Sequence, residues 1–139
     1  MDNFSSHPPD RPFLASTIRQ PLIHVLLWGG WITALSLLPG KTLPAFEMAD
    51  WLALDKLAHL LLYGIWAALW FRWKRTTGTD VSGGSMAAGL LFMGGYGAIL
   101  EVLQWAMEAD RYFEVPDIVA NIIGILLSYG INFLIYKMC

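Results

Sequence analysis

The sequence predicts an all-α fold, a polytopic membrane protein built as a bundle of four transmembrane helices. Three observations predict it. Four apolar stretches are each long enough, at 1.5 Å per residue, to cross a hydrocarbon core of about 30 Å. Of the 139 residues, 56% are hydrophobic and only 14% charged, with a mean hydropathy of +0.50, whereas soluble domains carry about 25% charged residues. The polar residues inside the apolar stretches recur at helical spacing. The length permits one domain. A net charge of -2 gives no reason to expect a nucleic-acid or acidic-substrate partner, and the single cysteine, Cys139, excludes an intrachain disulfide.

Taken in order, residues 1–19 are polar and contain Pro8, Pro9 and Pro12, which predicts a disordered tail. Residues 20–139 form the transmembrane domain. Its first helix is expected over about 21–38, ending in Pro39-Gly40. This stretch is longer than the apolar core of a cleaved signal peptide, so an uncleaved helix is expected. The second covers about 57–73 and stops at Arg72, Lys74 and Arg75; the third covers about 85–107, and the fourth about 117–136, closed by Lys137. Loops are expected over the Gly/Ser/Thr-rich residues 76–85 and the charged residues 108–116. Trp and Met serve packing, lipid contact and interfacial belts. Arg11, Arg19, Arg72, Lys74, Arg75 and Lys137 fall on one side of such a bundle, against Lys41, Lys56 and Arg111 on the other. By the positive-inside rule, both termini of this inner-membrane protein are cytoplasmic.

The polar residues form stripes. Asp55, His59 and Tyr63 are four apart and stack on one face of helix 2, while Lys56 is offset by about 100°. Helix 3 carries Gly94, Gly97, Glu101, Gln104 and Glu108 at intervals of three and four. Its small residues permit the close backbone approach that marks helix interfaces in membranes. Helix 4 repeats the arrangement with Asp117, Asn121, Gly124 and Ser128, after Pro116. With alternating helix directions, three helices each present polar side chains at one depth, the extracytoplasmic end. Ionisable groups within apolar spans point to a functional site by default.

These residues resemble the VanZ-like family of integral membrane proteins. The resemblance runs from Asp55-Lys56-x-x-His59-x-x-x-Tyr63 through Glu101-x-x-Gln104 and Arg111 to Asp117-x-x-x-Asn121-x-x-Gly124. One departure is the acidic insert from Glu108 to Glu114. The family is named for an accessory protein of a glycopeptide-resistance cluster linked to teicoplanin resistance. The resemblance implies a multi-helix membrane fold and no defined reaction.

The candidate pocket therefore comprises Asp55, Lys56, His59, Tyr63, Glu101, Gln104, Arg111, Asp117 and Asn121, with Gly94, Gly97, Gly124 and Ser128 as packing residues. No cofactor is expected apart from a divalent metal, for which His59, Glu101 and Asp117 are the candidate ligands. Three readings stay open at this level. In the first, the pocket binds or acts on a lipid or lipid-linked component of the cell envelope, with Lys56 and Arg111 attracting an anionic headgroup. In the second, a structural or partner-binding subunit uses the same residues to lock its helices, although interhelical polar bonds contribute only about 0.6 kcal/mol each. The third, a small transporter or ion pathway, is opposed by the lack of charges in the cytoplasmic half of helix 3. His24 has no polar partner at helical spacing and reads as an interior histidine. The sequence leaves the oligomeric state open.

Overall fold

The structure, a computed structural model, describes residues 12–38, 48–78, 83–107 and 114–138. These form four helices: α1 (Pro12–Ser36), α2 (Met48–Thr76), α3 (Gly83–Ala106) and α4 (Val115–Met138). No strand occurs among the described residues.

Two boundaries differ from the sequence expectation. The α1 helix starts at Pro12 rather than near residue 21, so residues 12–19 are helical where a disordered tail is expected. Proline suits a first helical turn, where its missing N–H has no partner to lose, and Pro21 is carried inside the helix. The α2 helix likewise starts nine residues early, because Met48 to Leu54 contain no helix breaker. Asp55 and Lys56 therefore lie in its third turn, not at its start.

Side-chain bonds to the neighbouring backbone define the helix directions. Trp28 Nε1 donates to the Leu62 carbonyl and Trp66 Nε1 to that of Val25, both at 2.9 Å. This reciprocal pair makes α1 and α2 antiparallel. The Thr33 hydroxyl pairs with that of Tyr96, and Gln104 Nε2 donates to the Ser36 carbonyl at 2.6 Å. Both numbers rise together, so α1 and α3 run parallel. Lys56 meets Asp117, and Arg75 donates to the Asn132 carbonyl at 3.1 Å, so α2 and α4 are parallel as well. Helix directions thus alternate along the chain.

The most extensive packing is between α2 and α4, with α1 laid against α2 and α3 against α4. At the α2–α4 seam, a Cβ on Gly124 would collide with the Leu60 carbonyl oxygen and come within 3.1 Å of Gly64 N. Only glycine permits this approach. Gly64 is the matching small residue on α2. Gly94 has a slacker role, since a Cβ there would meet only Ile122 at 3.9 Å. Trp66 is central to the core, edge-on to Tyr63 and Tyr96 with ring centroids 5.8 and 5.3 Å away, beside Val25, Ile32, Met93, Leu100 and Ile125.

Two helices are long and apolar enough to cross a membrane, over Gly84–Ala106 and Val115–Ile135; Pro21–Ser36 is a shorter apolar helix. Only 33% and 28% of those two spans is buried inside the protein. Such exposed apolar faces match a lipid-facing helix better than the core helix of a soluble domain.

Gly124→Ala should force α2 and α4 apart and destabilise the bundle by about 1–3 kcal/mol, whereas Gly95→Ala, which points into open space, should be nearly neutral. Thermal unfolding in detergent measures both; equal shifts would contradict the seam described here.

Candidate functional site

The polar stripes meet at the end of the bundle where α1 and α3 finish and α2 and α4 begin. Lys56 Nζ is the hub. It donates to Asp117 Oδ1 at 2.6 Å and to Glu114 Oε2 at 2.7 Å, with Asp55 Oδ2 at 3.8 Å. Burial works against the ammonium, and the hydrogen bonds and charges of Asp117 and Glu114 more than reverse that, so its pKa is raised above the ordinary lysine value. Lys56 is thus already engaged by carboxylates. The cation expected to attract an anionic headgroup is consumed within the protein.

His59 is the second hub. Its Nδ1 lies 3.0 Å from Asn121 Oδ1; in the tautomer that carries the proton on Nδ1, the ring donates to that amide oxygen. Nε2 then faces three carboxylates from three helices, Asp55 Oδ1 at 4.0 Å, Glu101 Oε1 at 4.0 Å and Asp117 Oδ2 at 3.9 Å. Each distance is too long for a hydrogen bond. Glu101 and Asp117 are only 2% and 5% exposed, and Glu101 also takes a hydrogen bond from the Glu114 backbone. Asn121 is 1% exposed, and its Nδ2 has no hydrogen-bond partner among the described residues.

Other residues of the expected pocket serve beside the cluster. Gln104 is buried but turns to α1, capping one of the carbonyls that a helix C-terminus leaves unsatisfied. Tyr63 forms the floor: a Cβ on Gly97 would lie 2.9 Å from its hydroxyl and 2.8 Å from Asn121 Nδ2. Gly97 therefore makes room for both. Ser128 is buried further down α4, where its carbonyl accepts from Asn132 Nδ2 at 2.8 Å. Arg111 lies outside the described residues.

Glu114 is a member that the sequence reading passes over. The signal was available, since Glu114 stands three residues before Asp117 at the start of α4, where its carbonyl accepts from Asp117 N at 3.1 Å. An acid at a helix N-terminus is favourably placed against the helix dipole. An apolar groove of about 330 Å³ runs along the α2–α4 seam, lined by Leu60, Gly64, Ala68, Gly124, Leu127 and Ser128 among others. It begins one helical turn along from Lys56, because Lys56, Leu60 and Gly64 share a face at spacings of four.

A helical bundle with a cluster of acids around one lysine and one histidine at one end is the class of protein these features define. The family model described as VanZ/LLP1 matches residues 6–136, nearly the whole chain, and the chain belongs to that family. No curated protein and no solved structure matches it.

Lys56→Met should leave Asp117 and Glu114 facing each other without a counter-charge and destabilise the protein by about 2–3 kcal/mol, below the range for a fully buried pair. The double variant Lys56→Met/Asp117→Asn should recover part of that loss. A double-mutant cycle by thermal unfolding reads the coupling; strict additivity would show that the pair contributes nothing.

Proposed function

We propose that the chain is a four-span protein of the inner membrane with both termini cytoplasmic, whose polar cluster binds the headgroup of a lipid or lipid-linked envelope component at the extracytoplasmic face. The observation that carries this reading is the convergence of Asp55, Glu101 and Asp117 within 4.0 Å of the His59 Nε2. Such a set of ionisable groups at one depth exceeds what helix packing needs. The apolar groove supports the same reading, since it offers a hydrocarbon chain a path leading away from the cluster.

The charge balance narrows the headgroup. Among the described residues, Asp55, Glu101, Glu114 and Asp117 stand against one lysine and one histidine, so the cluster is rich in hydrogen-bond acceptors. That composition favours a headgroup presenting hydroxyl or ammonium donors, such as a sugar or an amine, over a bare phosphate. The link of the VanZ-like resemblance to glycopeptide resistance accords with an envelope ligand. No reaction is proposed. The competing reading, a structural or partner-binding subunit, is favoured by one observation: Lys56 and Gln104 are spent on internal ties.

Lipids that co-purify with the protein from its native membrane discriminate the two. Mass spectrometry should show a glycosylated or amine-bearing lipid enriched over the bulk membrane. His59→Ala and Asp117→Asn should deplete it at least several-fold while remaining monodisperse. If both variants lose thermal stability and their bound lipid is unchanged, the packing role stands instead.

Topology has a separate check. Cys139 is the only thiol, and in the proposed orientation a membrane-impermeant maleimide should label it only after the cells are permeabilised. Labelling in intact cells would invert the orientation.

A further inference from the structure

We propose that His59 Nε2 and one oxygen each of Asp55, Glu101 and Asp117 form a binding site for a single divalent transition-metal ion, best matched by Zn²⁺. The inference concerns the cluster described above and does not depend on the lipid reading.

The first argument is how the carboxylates divide their oxygens. Asp117 gives Oδ1 to Lys56 at 2.6 Å and turns Oδ2 toward His59. Asp55 directs Oδ2 at Lys56 and Oδ1 at His59. Lys56 therefore orients the acids from outside, and their second oxygens converge on the imidazole. Ligand atoms of Asp55, His59 and Asp117 all lie within 4.8 Å of one another. Bonds of about 2.0–2.2 Å around a tetrahedral Zn²⁺ separate neighbouring ligand atoms by about 3.3–3.5 Å. Closing the site shortens the 3.9–4.0 Å from Nε2 by about half an ångström and the widest separations among Asp55, His59 and Asp117, up to 4.8 Å, by over an ångström, with Glu101 outside that close group.

The second argument lies outside the acids. Metal-binding histidines donate their other ring N–H to a fixed acceptor, which sets the tautomer and aims the ligating nitrogen. Asn121, 1% exposed, offers such an acceptor 3.0 Å from His59 Nδ1. In the neutral tautomer that uses it, Nε2 turns a lone pair toward three carboxylate oxygens, an arrangement that a shared cation makes favourable. The third argument is charge. Glu101 is 2% exposed, and among the described residues no lysine or arginine is paired with it. A buried carboxylate calls for a counter-charge or a proton, and the gap before Nε2 is where a cation supplies it. One nitrogen with three carboxylate oxygens fits Zn²⁺ better than Ca²⁺ or Mg²⁺, which take oxygen-only shells.

The test is a calorimetric titration of chelator-treated protein in detergent with Zn²⁺ alone. One equivalent should bind. His59→Ala and Asn121→Ala should each weaken it at least tenfold, as loss of a ligand or of its orienting partner does. His24→Ala should leave the affinity within twofold. Co²⁺ bound in place of Zn²⁺ should give a visible absorption band that His59→Ala abolishes. Absence of stoichiometric Zn²⁺ binding by the unaltered protein overturns the proposal, as does equal weakening by His24→Ala, which would mark unspecific binding. The wild-type stoichiometry and Co²⁺ spectrum decide the matter even where a variant fails to fold. Because the titration contains no native lipid, its failure leaves the headgroup reading standing, and unchanged Zn²⁺ binding with no enriched lipid does the reverse.

Discussion

The ion pair between Lys56 of α2 and Asp117 of α4, 2.6 Å long and largely withdrawn from solvent, is the interaction on which the rest of the arrangement turns. It sets the relative depth of two parallel helices. With that depth fixed, His59 comes level with Asn121, and Gly64 comes level with Gly124. The glycine contact then brings the two backbones close enough for the whole seam to pack. A slip of one turn would set Gly124 against a residue with a side chain and would leave a buried acid without its counter-charge. Electrostatics at one end and steric fit at the middle thus select the same register.

The remaining helices join this pair through hydrogen bonds to carbonyls that helices leave accessible. The reciprocal tryptophan bonds hold α1 to α2, and Gln104 holds the last turn of α1 to α3. In lipid, where neither water nor the hydrophobic effect drives helices together, such bonds and close packing are the main sources of association. They also explain why the polar cluster draws on three helices: α3 reaches it with Glu101 from the same turn region that ties α1 in place. The opposite end of the bundle has a contrary character, with Lys74 between the rings of Trp70 and Trp73 and Arg75 bound to α4. A chain acidic at one end and basic at the other is polarised along its helix axes. That polarity agrees with the proposed orientation across an energised membrane, basic end inward.

The cluster itself combines two opposed demands. Its acids are oriented by a lysine that neutralises only part of their charge, and its histidine is aimed by an asparagine that accepts but gives no charge back. Among the described residues, the result is an acceptor-rich site next to an apolar groove.

Much of this was legible in the residues alone. Apolar runs of nearly twenty residues and their polar punctuation determine four helices, and spacings of three and four place Asp55 with His59, Glu101 with Gln104, and Asp117 with Asn121, since helical periodicity is a local property of the chain. What periodicity cannot carry is which stripe meets which, and at what depth. Only the tertiary structure decides that Lys56 is consumed by Asp117 and Glu114, that Gln104 serves α1 instead of the cluster, and that Gly64 is the partner of Gly124. The helix starts at Pro12 and Met48 were likewise hidden, because the polar residues around Pro12 read as a tail and nothing in Met48 to Leu54 separates that stretch from the span that follows. The polar cluster anticipated from three separate stripes is real as a neighbourhood, and its membership, its charge balance and the gap before His59 Nε2 are set by contacts between residues some sixty positions apart.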